Sequence, residues 1–167
     1  MVTARSSRIR TLRPLLLTAA LAAMALMVMS LASNVQAAPQ NVADGSLTWG
    51  FKESFRNYIR GPIAHGFVET GGGASESGSV FSFPAASGSY DPDTDKLTAN
   101  FSGQVRFRGH EGVGVPEGEY ALDLTISNIR IEIEGSSGAL IANVSSKTLE
   151  GGEIVNYGSI TLAELSG

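Results

Sequence analysis

The sequence predicts an all-β domain: an antiparallel β-sandwich or open barrel with one short helix near the start of its mature part. Three observations predict it. Apolar and polar residues alternate at period two over long stretches, the pattern of half-buried strands. Glycine is abundant, with 20 residues, and it falls where short runs must turn. A helical period appears in one place, between Phe51 and Ile59. Short alternating runs with frequent turns and almost no helix build sandwiches and barrels.

The first residues are set aside from the fold. Arg5, Arg8, Arg10 and Arg13 form a basic start without an acidic residue, Leu15 to Ala32 is an uncharged, mainly apolar run, and "VQAAP" supplies small residues after it. This order is that of a secretory signal peptide covering residues 1–37, with cleavage after Ala37 or Ala38. The apolar run also just reaches membrane-spanning length, so an uncleaved anchor is the alternative. The expected location is secreted or cell envelope, with membrane association only if that segment stays attached. Residues 38–167 are long enough for one domain. Four of the 12 basic residues lie in the leader, leaving eight against 16 acidic ones, a mature net charge of −8. That balance disfavours nucleic acid and anionic lipid as partners. The chain has no cysteine, so disulfides, thiolate metal sites and thioether-linked haem are excluded. All four methionines (Met1, Met24, Met27, Met29) belong to the leader. The candidate metal ligands are then His65, His110, the carboxylates, and Tyr58, Tyr90, Tyr120 and Tyr157.

The elements follow in order. Phe51, Phe55 and Tyr58 recur at i, i+4 and i+7, Ile59 widens the stripe, and Gly61–Pro62 ends it, so a short helix spans this stretch. "TGGGASESGS" (Thr70–Ser79) is expected to be a flexible surface loop; it lacks the Lys-Ser/Thr and the following helix that a phosphate cradle needs. "DPDTD" (Asp91–Asp95) is a turn by its Asp and Pro content. Leu97, Ala99, Phe101, Gly103, Val105 and Phe107 face one way, which predicts a strand or a hairpin bent near Gly103. Leu122, Leu124 and Ile126 repeat the period, and Ile129, Ile131 and Ile133 continue it in the opposite phase. A one-residue slip flips the buried face, so Ser127–Asn128 should hold a bulge or a tight turn. After the turn "GSSG", Ala139, Ile141 and Val144 begin a further strand. Ile154, Val155, Ile160 and Leu162 supply the last strands.

From the residues alone, Tyr58 is a core tyrosine with its hydroxyl at a wet edge, and His110 a solvated loop histidine. The wording of the chain alters that balance. "LTWGFKESFRNYIRGPIAHG", "FSFPAASGSYD", "ANFSGQVRFRGHEG" and "LDLTISNIRIEI" together resemble the HtaA-type haem-binding domain of actinobacterial exported haem-uptake proteins. The resemblance runs from about Leu47 to Leu162, and "WGFKESFRNYI" and "GQVRFRGHEG" are its specific parts. It implies ferric haem b, held non-covalently through a tyrosine at Tyr58, assisted by a histidine at His110. It also implies exchange with haem-donor or other envelope haem-uptake proteins. Phe51 and Phe55, with Phe81 and Phe83, are expected to form apolar walls. Arg56, Arg60, Arg106 and Arg108 are the candidates for the haem propionates, and His65 is a second-ranked axial or supporting group. Domains of the family usually run further than this chain, which implies either a shortened member or a reading frame that ends early. A missing closing strand would leave an open edge through which two copies could pair.

The chemistry agrees with the implied pair. Tyrosinate is a known axial ligand of ferric haem, and a donor beside the phenolic oxygen stabilises its anion. An enzyme is not expected. Glu117, Glu119, Glu132 and Glu134 are the carboxylates available for acid–base work, but Glu132 and Glu134 share the polar face of one strand. The rival function is an envelope β-domain with a structural or adhesive role and no haem. The two differ in whether Tyr58 and His110 meet in one cleft.

Overall fold

A computed structural model describes residues 36–148 and 152–167, and the signal-peptide prediction therefore falls almost wholly outside the described residues. Ala37–Gly167 forms a compact unit. In chain order its elements are β1 (Gln40–Asn41), β2 (Ser46–Trp49), α1 (Glu53–Arg60), β3 (Phe67–Gly71), β4 (Ser75–Ser77), β5 (Val80–Asp91), β6 (Lys96–Phe101), β7 (Gln104–Glu111), β8 (Tyr120–Glu134), β9 (Ser137–Lys147) and β10 (Ile154–Ser166). All strand pairs are antiparallel. Among the described residues the fold is all-β with one short helix, as the period-two pattern requires. Among the described residues no helix is long and apolar enough to cross a membrane.

The long strand β8 is the spine. One edge pairs with β9, which pairs onward with β10. The other edge is shared: β7 takes Tyr120–Ser127 and β6 takes Arg130–Glu134. The alternating stretch from Leu97 to Phe107 is thus two strands laid end to end beside β8, not a hairpin. The break falls at Ser102–Gly103, where Gly103 has φ +105° and an added Cβ would lie 2.7 Å from the backbone N of Ala74. Only glycine has both the conformational freedom and the room. Opposite the break, the β8–β9 register shifts between Ser127 and Arg130, with Asn128 at φ 50°. The expected slip is a bulge, and it moves the buried side from Ile126 to Ile129.

β5 bends in the same way. Its first half pairs with β2 and β4, its second half with β6 and β1, and its β6 register shifts between Ala85 and Ser87. The core collects Phe81 and Phe83 of β5, Val105 and Phe107 of β7, Ile126 and Ile129 of β8, three residues of β9, and Ile59 of α1. Each large side chain of this kind contributes about 1.5–3 kcal/mol on burial.

Two expectations are corrected. Phe51 precedes α1 instead of belonging to it: it has φ 43° and the first helical residue is Glu53. "TGGGASESGS" is not all loop, because Ser75–Ser77 pairs with Val80–Ser82. β9 forms where Ala139, Ile141 and Val144 predict a strand, and its buried residues are Leu140, Ala142 and Val144. The Gly135–Ser136 turn pairs Glu134 with Ser137, and the parity of the whole strand follows from that register.

Candidate functional site

The site begins with how α1 is held. Glu53 in its first turn and Arg60 in its last oppose the ends of the helix dipole. Gly61 closes it, its N–H donating to the carbonyl of Tyr58 at 3.3 Å. Ile59 is fully buried, and Phe55 packs on Phe107 of β7 with ring centroids 5.1 Å apart. The helix therefore lies on the apolar face of β7. Tyr58 extends that apolar side toward the rim, stacked beside Phe55 at 6.5 Å.

His110 reaches the tyrosine through an unusual backbone. By strand alternation it should share a side with Arg106 and Arg108, away from Phe107. Its φ of 57° is left-handed, a conformation that histidine adopts more readily than most residues. Its N–H donates to the carbonyl of Ala64 at 2.7 Å, which ties this end of β7 to the turn after α1. The imidazole thereby leaves the alternation, and its Nε2 lies 2.5 Å from the Tyr58 hydroxyl oxygen. A neutral phenol donates to Nε2. A phenolate accepts from Nε2–H and keeps further lone pairs for a metal.

The two residues open onto a cleft of about 380 Å³ whose walls include Val113, Val115, Pro116 and Leu122. Val113 to Pro116 sit in the β7–β8 loop, which folds back on itself through Gly112 N–H to the Glu119 carbonyl at 2.9 Å and Glu119 N–H to the Pro116 carbonyl at 3.0 Å. The volume and the mix of apolar walls with a few polar groups suit a small-molecule site. A hollow of about 430 Å³ lies elsewhere, over Lys96, Glu132 and Glu134. It is shallower and has no aromatic or imidazole side chain in its lining. Among the described residues no group of three His, Cys, Asp or Glu could hold a metal ion.

The other sequence candidates lie apart from this cleft. Phe51 packs against Trp49, Phe81 and Phe107, and neither it nor Phe55 lines the cleft. Their role is to support α1 from below. Phe81 and Phe83 are fully buried and cannot form ligand walls. His65 is exposed and outside the cleft lining. The arginines are also committed elsewhere. Arg60 pairs with Glu76 at 2.6 Å, Arg108 with Glu69 at 2.7 Å, and Arg106 with the buried Asp123 through two hydrogen bonds. That last pair holds the Arg106 guanidinium above its ordinary range. Arg56 is buried, and its Nε has no hydrogen-bond partner among the described residues.

Sequence reasoning missed the loop Val113–Pro116 and the contributions of Leu122, Glu119 and Thr148 to the cleft. The available signal was the run "EGVGVPEGE", whose apolar residues in a glycine-rich turn have no core to enter.

Comparison with known proteins places the whole domain among relatives. The sequence model of the HtaA family (Htaa) matches residues 44–167. The C-terminal domain of HtaA from Corynebacterium glutamicum is similar in structure, with a TM-score of 0.66 and 37% identity over 75% of this chain and 70% of that one. The N-terminal domain of HtaA from the same organism gives 0.65 and 33% identity over 76% and 73%. The haem-binding protein HtaB, also of Corynebacterium glutamicum, shares the fold at a TM-score of 0.62, with 23% identity over 77% and 72%. No curated protein matches.

Proposed function

The chain belongs to the HtaA family, and on that footing we propose that it binds haem at Tyr58 and His110 and serves haem-iron uptake as a carrier. The observation that carries the proposal is the 2.5 Å contact between the Tyr58 hydroxyl and His110 Nε2 at the wall of a cleft. A phenolic oxygen with an imidazole behind it is a donor set for ferric iron. Tyr58 supplies the anionic oxygen, His110 stabilises it by donating Nε2–H, and the valines of the β7–β8 loop exclude water from the site. The porphyrin iron supplies the Lewis acidity that lowers the phenol's proton affinity. A hard anionic oxygen favours ferric over ferrous iron, so the hold weakens on reduction, which suits a protein that passes its cargo on. The haem is b-type and non-covalent in this proposal, since the sequence holds no cysteine. The location is secreted or cell envelope, and the partners are haem donors and acceptors of the same route.

Titration of the purified protein with hemin, followed by absorbance, tests this. A saturable Soret band with ferric charge-transfer bands is expected. Both should disappear in Tyr58→Ala, and His110→Ala should bind about 10–100-fold more weakly, the usual effect of losing a group that supports a metal ligand. Equal, weak and non-saturable absorbance in all three proteins would leave the envelope-scaffold function in its place.

A further inference from the structure

We propose that Lys147 and Glu119 form an exchangeable ion pair at the cleft that selects porphyrins carrying free carboxylates, a ligand carboxylate replacing Glu119 on the Lys147 ammonium. The inference rests on the haem-binding function proposed above and adds the residue that reads the acidic edge of the ligand. Among the described residues no arginine lines the cleft, and Arg60, Arg106, Arg108 and Arg130 are each tied to a carboxylate that does not line it either. Lys147 differs from them. Its ammonium stands behind the cleft lining and binds Glu119 at 3.1 Å, and among the described residues Glu119 is the one formally charged residue in that lining.

The asymmetry of burial gives the pair its direction. The Lys147 side chain is 9% exposed, whereas that of Glu119 is 54% exposed. A buried ammonium must keep a partner, because an unpaired charge away from water is strongly unfavourable. An exposed carboxylate can return to water with little loss. Arrival of a ligand carboxylate therefore leaves Lys147 paired and sends Glu119 to solvent. A ligand whose carboxylates are esterified cannot make the exchange. It meets an ammonium already neutralised by Glu119.

The test compares hemin with hemin dimethyl ester in wild type, Lys147→Gln, Lys147→Arg and Glu119→Gln, reading affinity from the titration. The ratio between the two probes within one variant cancels any general effect of the substitution on folding. Wild type is expected to prefer the diacid about tenfold, the order of one charge-assisted hydrogen bond. Lys147→Gln should abolish that preference and Lys147→Arg should retain it. Glu119→Gln should widen it, since the competing carboxylate is gone. An undiminished preference in Lys147→Gln, or no widening in Glu119→Gln, overturns the inference. Saturable, Tyr58-dependent binding without a diacid preference sinks the ion-pair role alone. Absence of saturable binding to either probe sinks the haem function and this inference together.

Discussion

Gly66→Ala probes the junction on which the site depends. Gly66 lies between the turn after α1 and the start of β3, and it is not among the residues with positive φ. Its backbone conformation is therefore open to alanine, and only space is at issue. A Cβ at this position would sit 1.9 Å from the carbonyl oxygen of Arg108, and 2.9 Å from both the carbonyl carbon of Arg108 and the Cα of Gly109. All three are backbone atoms of β7, so no rotamer change relieves the overlap. The strands must separate by about 1 Å or more to reach an ordinary contact. Two hydrogen bonds cross the same junction: Gly66 N–H to the Ile59 carbonyl, and His110 N–H to the Ala64 carbonyl, each at 2.7 Å. Losing both, with their donors left inside the protein, costs about 3 kcal/mol. Gly112→Ala is the internal control. Gly112 has φ +66° and nothing within 4 Å of an added Cβ, so only the left-handed conformation is penalised, by about 1 kcal/mol. Urea unfolding followed by the fluorescence of Trp49, which stacks on Phe51 beside the core, measures both. Gly66→Ala should be destabilised about three times as much as Gly112→Ala, and its hemin binding should fall because His110 moves away from Tyr58. A Gly66→Ala protein within 1 kcal/mol of wild type, or no less stable than Gly112→Ala, would refute the steric argument.

Further outcomes follow from the same structure. Asp123→Asn removes a buried partner of Arg106 and should lower unfolding stability by about 2–4 kcal/mol. Glu134→Gln, at the exposed pair with Lys96, should change it by less than about 0.5 kcal/mol; equal effects would contradict the burial difference. The Tyr90 hydroxyl donates to Asp95 at 3.2 Å, and the bond and the negative charge of Asp95 raise its pKa above 10.0. The neutral phenol is the favoured form, so this contribution is present below pH 10 and is lost as pH rises through the higher folded value. Absorbance titration of the phenolate should show the Tyr90 midpoint falling in Asp95→Asn, and an unmoved midpoint would exclude the contact. Phe107→Ala opens a cavity beneath both Phe51 and Phe55 and should cost about 3–5 kcal/mol in denaturant unfolding.

The strands were legible where alternation is strict. Leu97 to Phe107 announces its buried side by period two. The phase change between Ile126 and Ile129 announces a bulge, because a polar residue cannot take a buried place without one. The turns "DPDTD" and "GSSG" are carried by local chemistry, and Asp91 accepts from the Asp93 N–H and the Thr94 hydroxyl within its own turn. The failures are of another kind. Phe51 fits a helical stripe by spacing, yet its left-handed backbone puts it outside α1 and against the core. Ser75–Ser77 carries no apolar signal and becomes a strand because β5 offers it an edge. The parity of β9 carries no local signal, because it depends on where the Gly135–Ser136 turn closes.

Composition and local pattern by themselves determined that this chain is acidic, cysteine-free, β-rich and turned at its glycines, since each of these follows from residue chemistry within a few positions. They also made Tyr58 and His110 candidates, through resemblance more than through spacing. Tertiary structure decided that residues 52 positions apart touch, that the valine loop and not the phenylalanines walls the cleft, and that Lys147 and not an arginine stands behind it. Those are facts of register and of which charge finds which partner. Both are settled by long-range pairing across β7, β8 and β9, where a shift of one residue reverses every side chain, and a single sequence does not encode that pairing in any local signal.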